Sequence, residues 1–377
     1  MDYYVRAGQR YLRRGFTTGT CAALAASGAA ELLLSGNCPG VLGLRTPGGL
    51  WAEAVPRICE RRGDAAYCAV VKGKSDDPDV TAGCTVGAEV RKIPAGFTVD
   101  GGAGVGRVTK PGLEQPVGAA AINRVPRAMI ANALREAAHT WDYGGGLAAV
   151  ISVPEGAALA ERTFNPQLGI VGGISILGTS GIVEPMSEEA MVDALAVEIR
   201  QAASGGGKDL ILVPGEYGFA SLREQGWNHI GLPVVKCSNF IGDCIDLAAL
   251  EGFRQVLIAG HMGKLVKLAG GMFHTHSRFG DCRRELFCAH SAVQGADAAL
   301  CRALMEASTT EGCLSLLEDA GLREQVVRSL LDAIQKQLDR RSGPLTAGAA
   351  VFSGQFGLLG VTDRGREILR SWGYAVT

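Results

Sequence analysis

The sequence predicts an α+β domain with an antiparallel or mixed sheet over residues 1–190, followed by an α/β, Rossmann-like domain with a mainly parallel sheet over residues 191–377. Three observations lead there. Before Pro185, short β-rich stretches are separated by Gly and Pro turns. After it, short apolar runs alternate with helical patterns, as right-handed βαβ crossovers on a parallel sheet require. The length of 377 residues also exceeds what one hydrophobic core usually organises.

In the first half the strand candidates are VLGLRT, LWAEAVPRICE, AAYCAVVKG, CTVGAEVRKI and GLAAVISVPEG, bounded by turn formers. Two helices interrupt them. GFTTGTCAALAASGAAELLLSG offers Thr17, Thr18 or Thr20 as an N-terminal cap and Gly36 as a stop. VPRAMIANALREAAHTW sets Met129, Ile130, Ala133, Leu134 and Ala137 on one face and is expected to begin after Pro126.

From Pro185 onward, SEEAMVDALAVEIRQAASGGG has a Ser187 cap, acids in its first turn and a glycine stop, the marks of a helix. DLILVPG then reads as strand, FASLREQG as helix, PVVKCSN as strand, FIGDCIDLAALEG as helix, RQVLIAGH as strand and GKLVKLAGG as helix. RRELFCAHSAVQGADAALCRALMEA and LREQVVRSLLDAIQKQLDRR extend the helical series, and GAAVFS is a late strand able to rejoin the sheet.

Composition narrows the function classes. Lys plus Arg (37) nearly cancel Asp plus Glu (38), which argues against nucleic-acid binding through a bulk electrostatic footprint. With 47% hydrophobic and 20% charged residues the chain can offset its ordering entropy, so it is globular. Its 53 glycines imply many tight turns and close backbone approaches. The 11 cysteines are scattered, without a CxxC pair or a Cys/His grouping of the structural-zinc kind, and read as reduced, mostly buried thiols. The opening MDYYVRAGQRYLRRG has no apolar stretch before a small-residue cleavage site, so a cytoplasmic location is expected. The uncharged run from Thr163 to Val183 contains Asn165, Pro166, Gln167 and several glycines and is rejected as a membrane span.

In an open parallel sheet, ligands bind beyond the carboxyl ends of the strands, where chain order reverses. Three loops qualify: PGEYGF with Gly215, Glu216 and Tyr217, CSNFIGD with Asn239, and AGHMGK with Gly260 and His261. Glu216 suits a ribose hydroxyl and Asn239 an adenine or a carboxylate, while the bland alternative makes them ordinary strand-to-helix turns. AGHMGK lacks the first glycine and the Ser or Thr of a P-loop, so ATP use is unsupported. MFHTHSRFGD puts His274 and His276 on one side if extended, with Arg278 adjacent, and suits a polar substrate wall or proton relay better than a metal site for want of a third ligand. No nucleophile elbow and no cysteine with a placed partner supports hydrolase chemistry.

The first half carries three further candidates. In VDGGAGVGRVTKPG, Asp100, Gly102, Gly104 and Gly106 match a D-x-G-x-G-x-G spacing common in nucleoside-binding methyltransferases. Pro111 and Pro116 forbid the helix that spacing needs, so the stretch reads as a Gly-rich hairpin whose glycines suit a close approach to a large ligand. Thr17, Thr18, Gly19 and Thr20 sit at a helix start, where unpaired amides favour anions, just after Arg10, Arg13 and Arg14. KSDDPDVTAG clusters Asp76, Asp77 and Asp79, which can bind a cation, orient a base or solvate a turn.

Taken together, GFTTGTCAA (15–23), DDPDVT (76–81), GVGRVTKPGL (104–113), NPQLGIVGGISILGTSGIVEPMSEEA (165–190), GHMGKLVKLAGG (260–271) and FHTHSR (273–278) resemble the CbiD family of anaerobic cobalamin biosynthesis, the cobalt-precorrin-5B methyltransferases. The family pattern has a proline where this chain has Arg124 in AINRVPRAMI. The resemblance implies methyl transfer from S-adenosylmethionine to ring carbon 1 of a cobalt-bearing tetrapyrrole, giving cobalt-precorrin-6A. It makes the first domain the expected corrinoid binder and the second the S-adenosylmethionine binder. Cobalt then belongs to the substrate, and no protein metal site is expected. The partners implied are this tetrapyrrole, with neither nucleic acid nor membrane, and with room for a homo-oligomer and transient contact with neighbouring pathway enzymes.

Methyl transfer asks the enzyme chiefly to align two partners and exclude water, with at most one group to accept a proton. His276, Asp77 and Asp79 are the candidates for that group. Gly215, Glu216, Tyr217, Asn239, Gly260 and His261 are expected at the cofactor, and Thr17, Thr18, Gly19, Thr20, Gly104, Gly106, His274 and Arg278 at the substrate. Two alternatives are a nucleotide-dependent oxidoreductase, against which the incomplete G-x-G-x-x-G weighs, and a non-enzymatic corrinoid carrier.

Overall fold

The computed structural model describes residues 3–7, 9–163, 165–166, 168–227 and 231–374, and it divides into two units, Met1–Glu188 and Glu189–Thr377. Each is a mixture of helices and strands with its own core.

An alanine-rich helix, Thr18–Ser35, organises the first unit. Thr17 caps it by accepting from the Thr20 amide, and Gly36 ends it at φ +84°, a conformation that favours glycine. Ala22, Ala23, Ala25, Ala26, Ala29 and Ala30 are all fully buried, so the helix is covered on most of its surface, with a narrow half-buried stripe of Ser27, Glu31 and Ser35, beside Leu34, as its polar face. Gly28 lets it lie close on the sheet, since a Cβ there would come 2.8 Å from the Cys68 sulfur. The sheet has the order Ile58–Arg62, Ala65–Val71, Thr85–Ile93, Gly146–Ser152, Phe97–Gly101. It is mixed: only Gly146–Ser152 and Phe97–Gly101 run parallel. Alternate residues Cys68, Val70, Val86, Ala88, Leu147, Ala149 and Ile151 join the core beneath Thr18–Ser35 and a second helix, Arg124–Thr140.

Three local expectations change. LWAEAVPRICE splits at Val55-Pro56 into Trp51–Ala54, paired with Leu42–Arg45, and Ile58–Arg62, the edge of the large sheet. Proline has no amide to continue a ladder. The second helix starts at Arg124, two residues before Pro126, because first-turn amides lack intrahelical acceptors and a proline there removes nothing. The Gly-rich stretch is not a hairpin on itself: Gly104–Val105 runs parallel to Gly173–Ile174, and Arg107–Val108 antiparallel to Ile170–Val171.

In the second unit the sheet order is Val234–Lys236, Asp209–Val213, Gln255–His261, Thr346–Ser353, Gly357–Val361. The first four strands are parallel and Gly357–Val361 is antiparallel. The unbroken apolar runs of these strands follow from burial on both faces. Leu210, Leu212, Val256 and Ile258 belong to one core with helices Ile241–Leu250, Met262–Ala269 and Arg323–Arg341. Ile211, Val213, Leu257 and Ala259 belong to another with Glu216–Glu224 and Asp363–Ser371. Each fully buried Leu or Ile contributes roughly 1.5–3 kcal/mol. The strand Phe97–Gly101, the helix Thr310–Asp319, the edge strand Gly357–Val361 and the last helix are elements that the sequence reading did not anticipate. Among the described residues no helix is long and apolar enough to cross a membrane.

Candidate active site

Asp209–Val213 lies between the strand that follows it, Val234–Lys236, and Gln255–His261, so chain order reverses on either side of it. The loop leaving Asp209–Val213 and the direct strand-to-helix junction at His261–Met262, where AGHMGK was expected to form a loop, flank the resulting crevice, the usual ligand position in such sheets. Gly218 packs its helix against the second of these strands, where a Cβ would sit 2.5 Å from the Ala259 carbonyl oxygen, and Gly260 lies against Pro214. Gly215 has open space where a side chain would be. Tyr217, 61% exposed, stacks obliquely on His261 with ring centroids 5.2 Å apart. Lys264 ties the loops together from below, its Nζ donating to the carbonyls of Pro214 at 2.6 Å and Ser238 at 3.3 Å. Burial pulls the Lys264 pKa below its ordinary value.

His261 is held at both ring nitrogens. Nδ1 accepts from the Gly263 amide at 3.0 Å, so the neutral ring carries its proton on Nε2, which lies 2.8 Å from Glu311 Oε1. Glu311 also accepts from Ser353 Oγ at 2.6 Å and from the Gly354 amide at 3.0 Å. Burial alone would raise its carboxyl pKa, but these hydrogen bonds outweigh it and hold the group below the usual range. Glu216 forms an ion pair with Lys236.

Asn239 closes the crevice on the side of Val234–Lys236. Its carbonyl accepts from the Thr275 amide at 3.0 Å and its Oδ1 from Thr275 Oγ1 at 3.1 Å, which docks the FHTHSR stretch onto the CSN loop. His274 lies edge-on to Phe240 and Phe279, at 4.9 and 4.3 Å. His276 is exposed, and its Nδ1 accepts from the Arg278 amide at 3.1 Å, so the neutral ring again presents an Nε2–H donor. Such a ring suits a hydrogen bond to an anion better than proton abstraction. The expected cofactor residues Gly215, Glu216, Tyr217, Asn239, Gly260 and His261 thus share one edge of one sheet, and His274 lies beside Asn239's neighbour Phe240. Glu311 and Ser353 are functional candidates that the sequence reading missed.

In the first unit, other work occupies the expected substrate and catalytic residues. Thr17, Thr18 and Thr20 are 6%, 4% and 0% exposed. The Gly19 amide donates to the Leu177 carbonyl at 3.1 Å, Thr20 Oγ1 to Gly181 at 2.7 Å, and Thr18 Oγ1 accepts from the Leu177 amide at 3.1 Å. The Gly19 and Thr20 amides and the three threonine hydroxyls expected to receive substrate carboxylates therefore already have partners within the chain. Gly104 and Gly106 likewise approach protein rather than open space: Cβ atoms there would lie 1.7 Å from Val153 O and 2.3 Å from Ile170 Cγ2. Residues 170–181 thereby lace GVG to TTGT.

The aspartates of KSDDPDVTAG are also committed. Asp76 accepts from the Arg13 amide at 2.6 Å and Asp77 from the Met186 amide at 3.1 Å. Asp79 pairs with Lys72, only 2% exposed, and accepts from Thr81 N at 2.8 Å. Burial would raise the Asp79 carboxyl, yet Lys72 and Thr81 hold it below its ordinary value. Asp79, so held, is a poor proton acceptor and has a tethering task in place of the catalytic one expected, while Asp77 tethers the Met186 amide. Arg124 donates its amide to Glu114 Oε2 at 3.0 Å, a bond that a proline at this position would lack. A cavity of about 470 Å³ lined by Asp332, Gln335, Lys336, Asp339, Arg340 and Asp363 shares no residue with the crevice.

Comparison with known proteins follows this division. The CbiD family model matches residues 5–185 and the model for the CbiD C-terminal domain matches residues 274–363. A cobalt-precorrin-5B C(1)-methyltransferase of Alkaliphilus metalliredigens is 42% identical over 378 residues, covering 99% of each chain. Its namesake in Moorella thermoacetica is 41% identical over 367 residues, covering 96% of this chain and 98% of the other. A crystal structure of a cobalamin biosynthesis protein (cbiD) from Archaeoglobus fulgidus is 27% identical, with a TM-score of 0.39 over 73% of this chain and 86% of that one. On identity sustained along its whole length, the chain belongs to the CbiD family.

Proposed function

We propose that the chain transfers a methyl group from S-adenosylmethionine to ring carbon 1 of cobalt-precorrin-5B, giving cobalt-precorrin-6A in anaerobic cobalamin biosynthesis. The observation that carries this reading is the 41–42% identity, over 90–99% of the chain, to proteins named for that methyl transfer.

The second unit is read as Rossmann-like and as the S-adenosylmethionine binder. Gly215 leaves the floor of the crevice open, Tyr217 offers a ring face, Glu216 and Asn239 supply polar groups, and His261 lies opposite Tyr217. These features fit a nucleoside with a charged tail. The donor would supply an electrophilic methyl on a sulfonium: the electron-rich macrocycle carbon gives the pair for the new C–C bond, and the C–S pair departs with the neutral thioether. The protein's part is to align the two partners and keep water out. His276, through Nε2–H, and the Arg278 guanidinium are assigned to the substrate's carboxylates, with His274 as the apolar-braced wall behind them. The first unit is assigned to the corrinoid through its arginine-bearing hairpin Tyr4–Ala7 and Arg10–Arg13. The test is incubation of the full chain with S-adenosylmethionine and cobalt-precorrin-5B, followed by mass spectrometry. A corrinoid heavier by one methyl supports the proposal, and tight corrinoid binding without mass change favours a carrier.

A further inference from the structure

We infer that Glu311 is a positioning residue of the S-adenosylmethionine crevice, acting through His261; the inference rests on the cofactor reading just proposed.

Three observations support it. First, Glu311 belongs to neither crevice loop: it comes from the first turn of Thr310–Asp319, 50 residues after His261 in sequence. It reaches the carboxyl ends of two adjacent parallel strands, bonding His261 at the end of one and Ser353 with Gly354 at the end of the other. Second, all three of its close contacts have a defined sense. His261 Nδ1 is already an acceptor toward Gly263, so only Nε2 can carry the proton of the neutral ring, and the carboxylate is its acceptor. Carboxylate and backbone amide together fix one tautomer and one ring plane. Third, the ring so fixed is the one against which exposed Tyr217 packs, and Gly354 lies 3.5 Å from the Tyr217 hydroxyl when given a Cβ. Removing Glu311 frees His261 to rotate or switch tautomer, and the tyrosine loses its backing. Ser353 secures the carboxylate in turn while accepting from the Gln355 and Phe356 amides.

This arrangement differs from a structural ion pair in what it predicts. A brace acting through His261 affects the cofactor's affinity and needs an acceptor at Oε1 rather than a charge. It becomes silent once His261 is gone, because residues that act as one unit give non-additive effects.

The experiment measures binding of labelled S-adenosylmethionine and, separately, of corrinoid to the full chain, with thermal melts as a folding control. Glu311→Ala is expected to weaken S-adenosylmethionine binding at least tenfold and to leave corrinoid binding within twofold. Glu311→Gln, which keeps an acceptor oxygen toward His261, is expected to recover binding to within threefold of wild type. In a His261→Ala background the further change Glu311→Ala is expected to cost less than twofold. Should Glu311→Ala fail to fold, the Gln variant and Ser353→Ala carry the test, the latter with an expected loss of about threefold. Wild-type affinity in Glu311→Ala, or a full tenfold loss in both His261 backgrounds, overturns the inference while the cofactor reading stands. A wild-type chain that binds no S-adenosylmethionine overturns both.

Discussion

Replacing Asp79 with alanine strips the partner from a lysine that has nowhere to go. Lys72 is 2% exposed and Asp79 15%, and the pair sits behind the loop carrying Asp76 and Asp77. Breaking a buried pair from one side leaves an uncompensated charge, at a cost of about 3–5 kcal/mol. For a unit of this size each kcal/mol lowers the melting midpoint by about 2–4 °C, so the first unit should melt roughly 6–20 °C lower. Calorimetry gives the midpoint, and hydrogen exchange at Ala65–Val71 and Thr85–Ile93 assigns the loss to the first unit. Lys72→Met combined with Asp79→Leu should recover most of it, because no buried charge then remains. The pH dependence has a defined sign. Asp79 is held below its ordinary pKa, so its contribution is complete above the unfolded value of about 3.9 and is lost as pH falls through the folded value. An Asp79→Ala protein that melts with wild type yet turns over no substrate would refute the tethering role and restore the catalytic one.

Four further outcomes follow from the same geometry. Gly104→Ala, at φ +72° with its Cβ 1.7 Å from Val153 O, should destabilise the first unit by more than about 2 kcal/mol, read as a lower melting midpoint, because the strain of a left-handed residue adds to a backbone clash. Lys264→Met removes two charge-assisted bonds to the Pro214 and Ser238 carbonyls and should weaken S-adenosylmethionine binding about tenfold, measured by calorimetric titration, with corrinoid binding unchanged. His276→Gln should weaken corrinoid binding several-fold in an absorbance titration, whereas Asp77→Ala, which loses only its bond to the Met186 amide, should retain turnover.

The alternation of strand and helix after Pro185 was legible because apolar runs such as LILV and VLIA can be buried on both faces only between two helical layers, and the structure distributes their residues between two cores. The strand ends at the crevice were legible for the same reason: they are set by the apolar runs, with Gly215 and Asn239 shortly after two of them and Gly260 and His261 closing the third. Glu311 was not. Its signal was local and modest, a Thr309 cap before an acid and the buried pair Leu314 and Leu317, and its meaning depends on a strand end 42 residues later. The first half misled in a different way. Threonines at a helix start and glycines in GVG carry the same letters whether they face a ligand or another segment of chain. Only the return of residues 173–181 across both motifs decides between them, and that contact has no local signature.

The central claim is the reaction itself, and its most direct test locates the transferred carbon. The full chain would be given S-adenosylmethionine labelled with carbon-13 in the methyl group, together with cobalt-precorrin-5B, and the corrinoid product examined by NMR. A single labelled methyl on ring carbon 1 is the predicted result. Label on any other ring position, or none on an intact substrate that the protein binds, would contradict it.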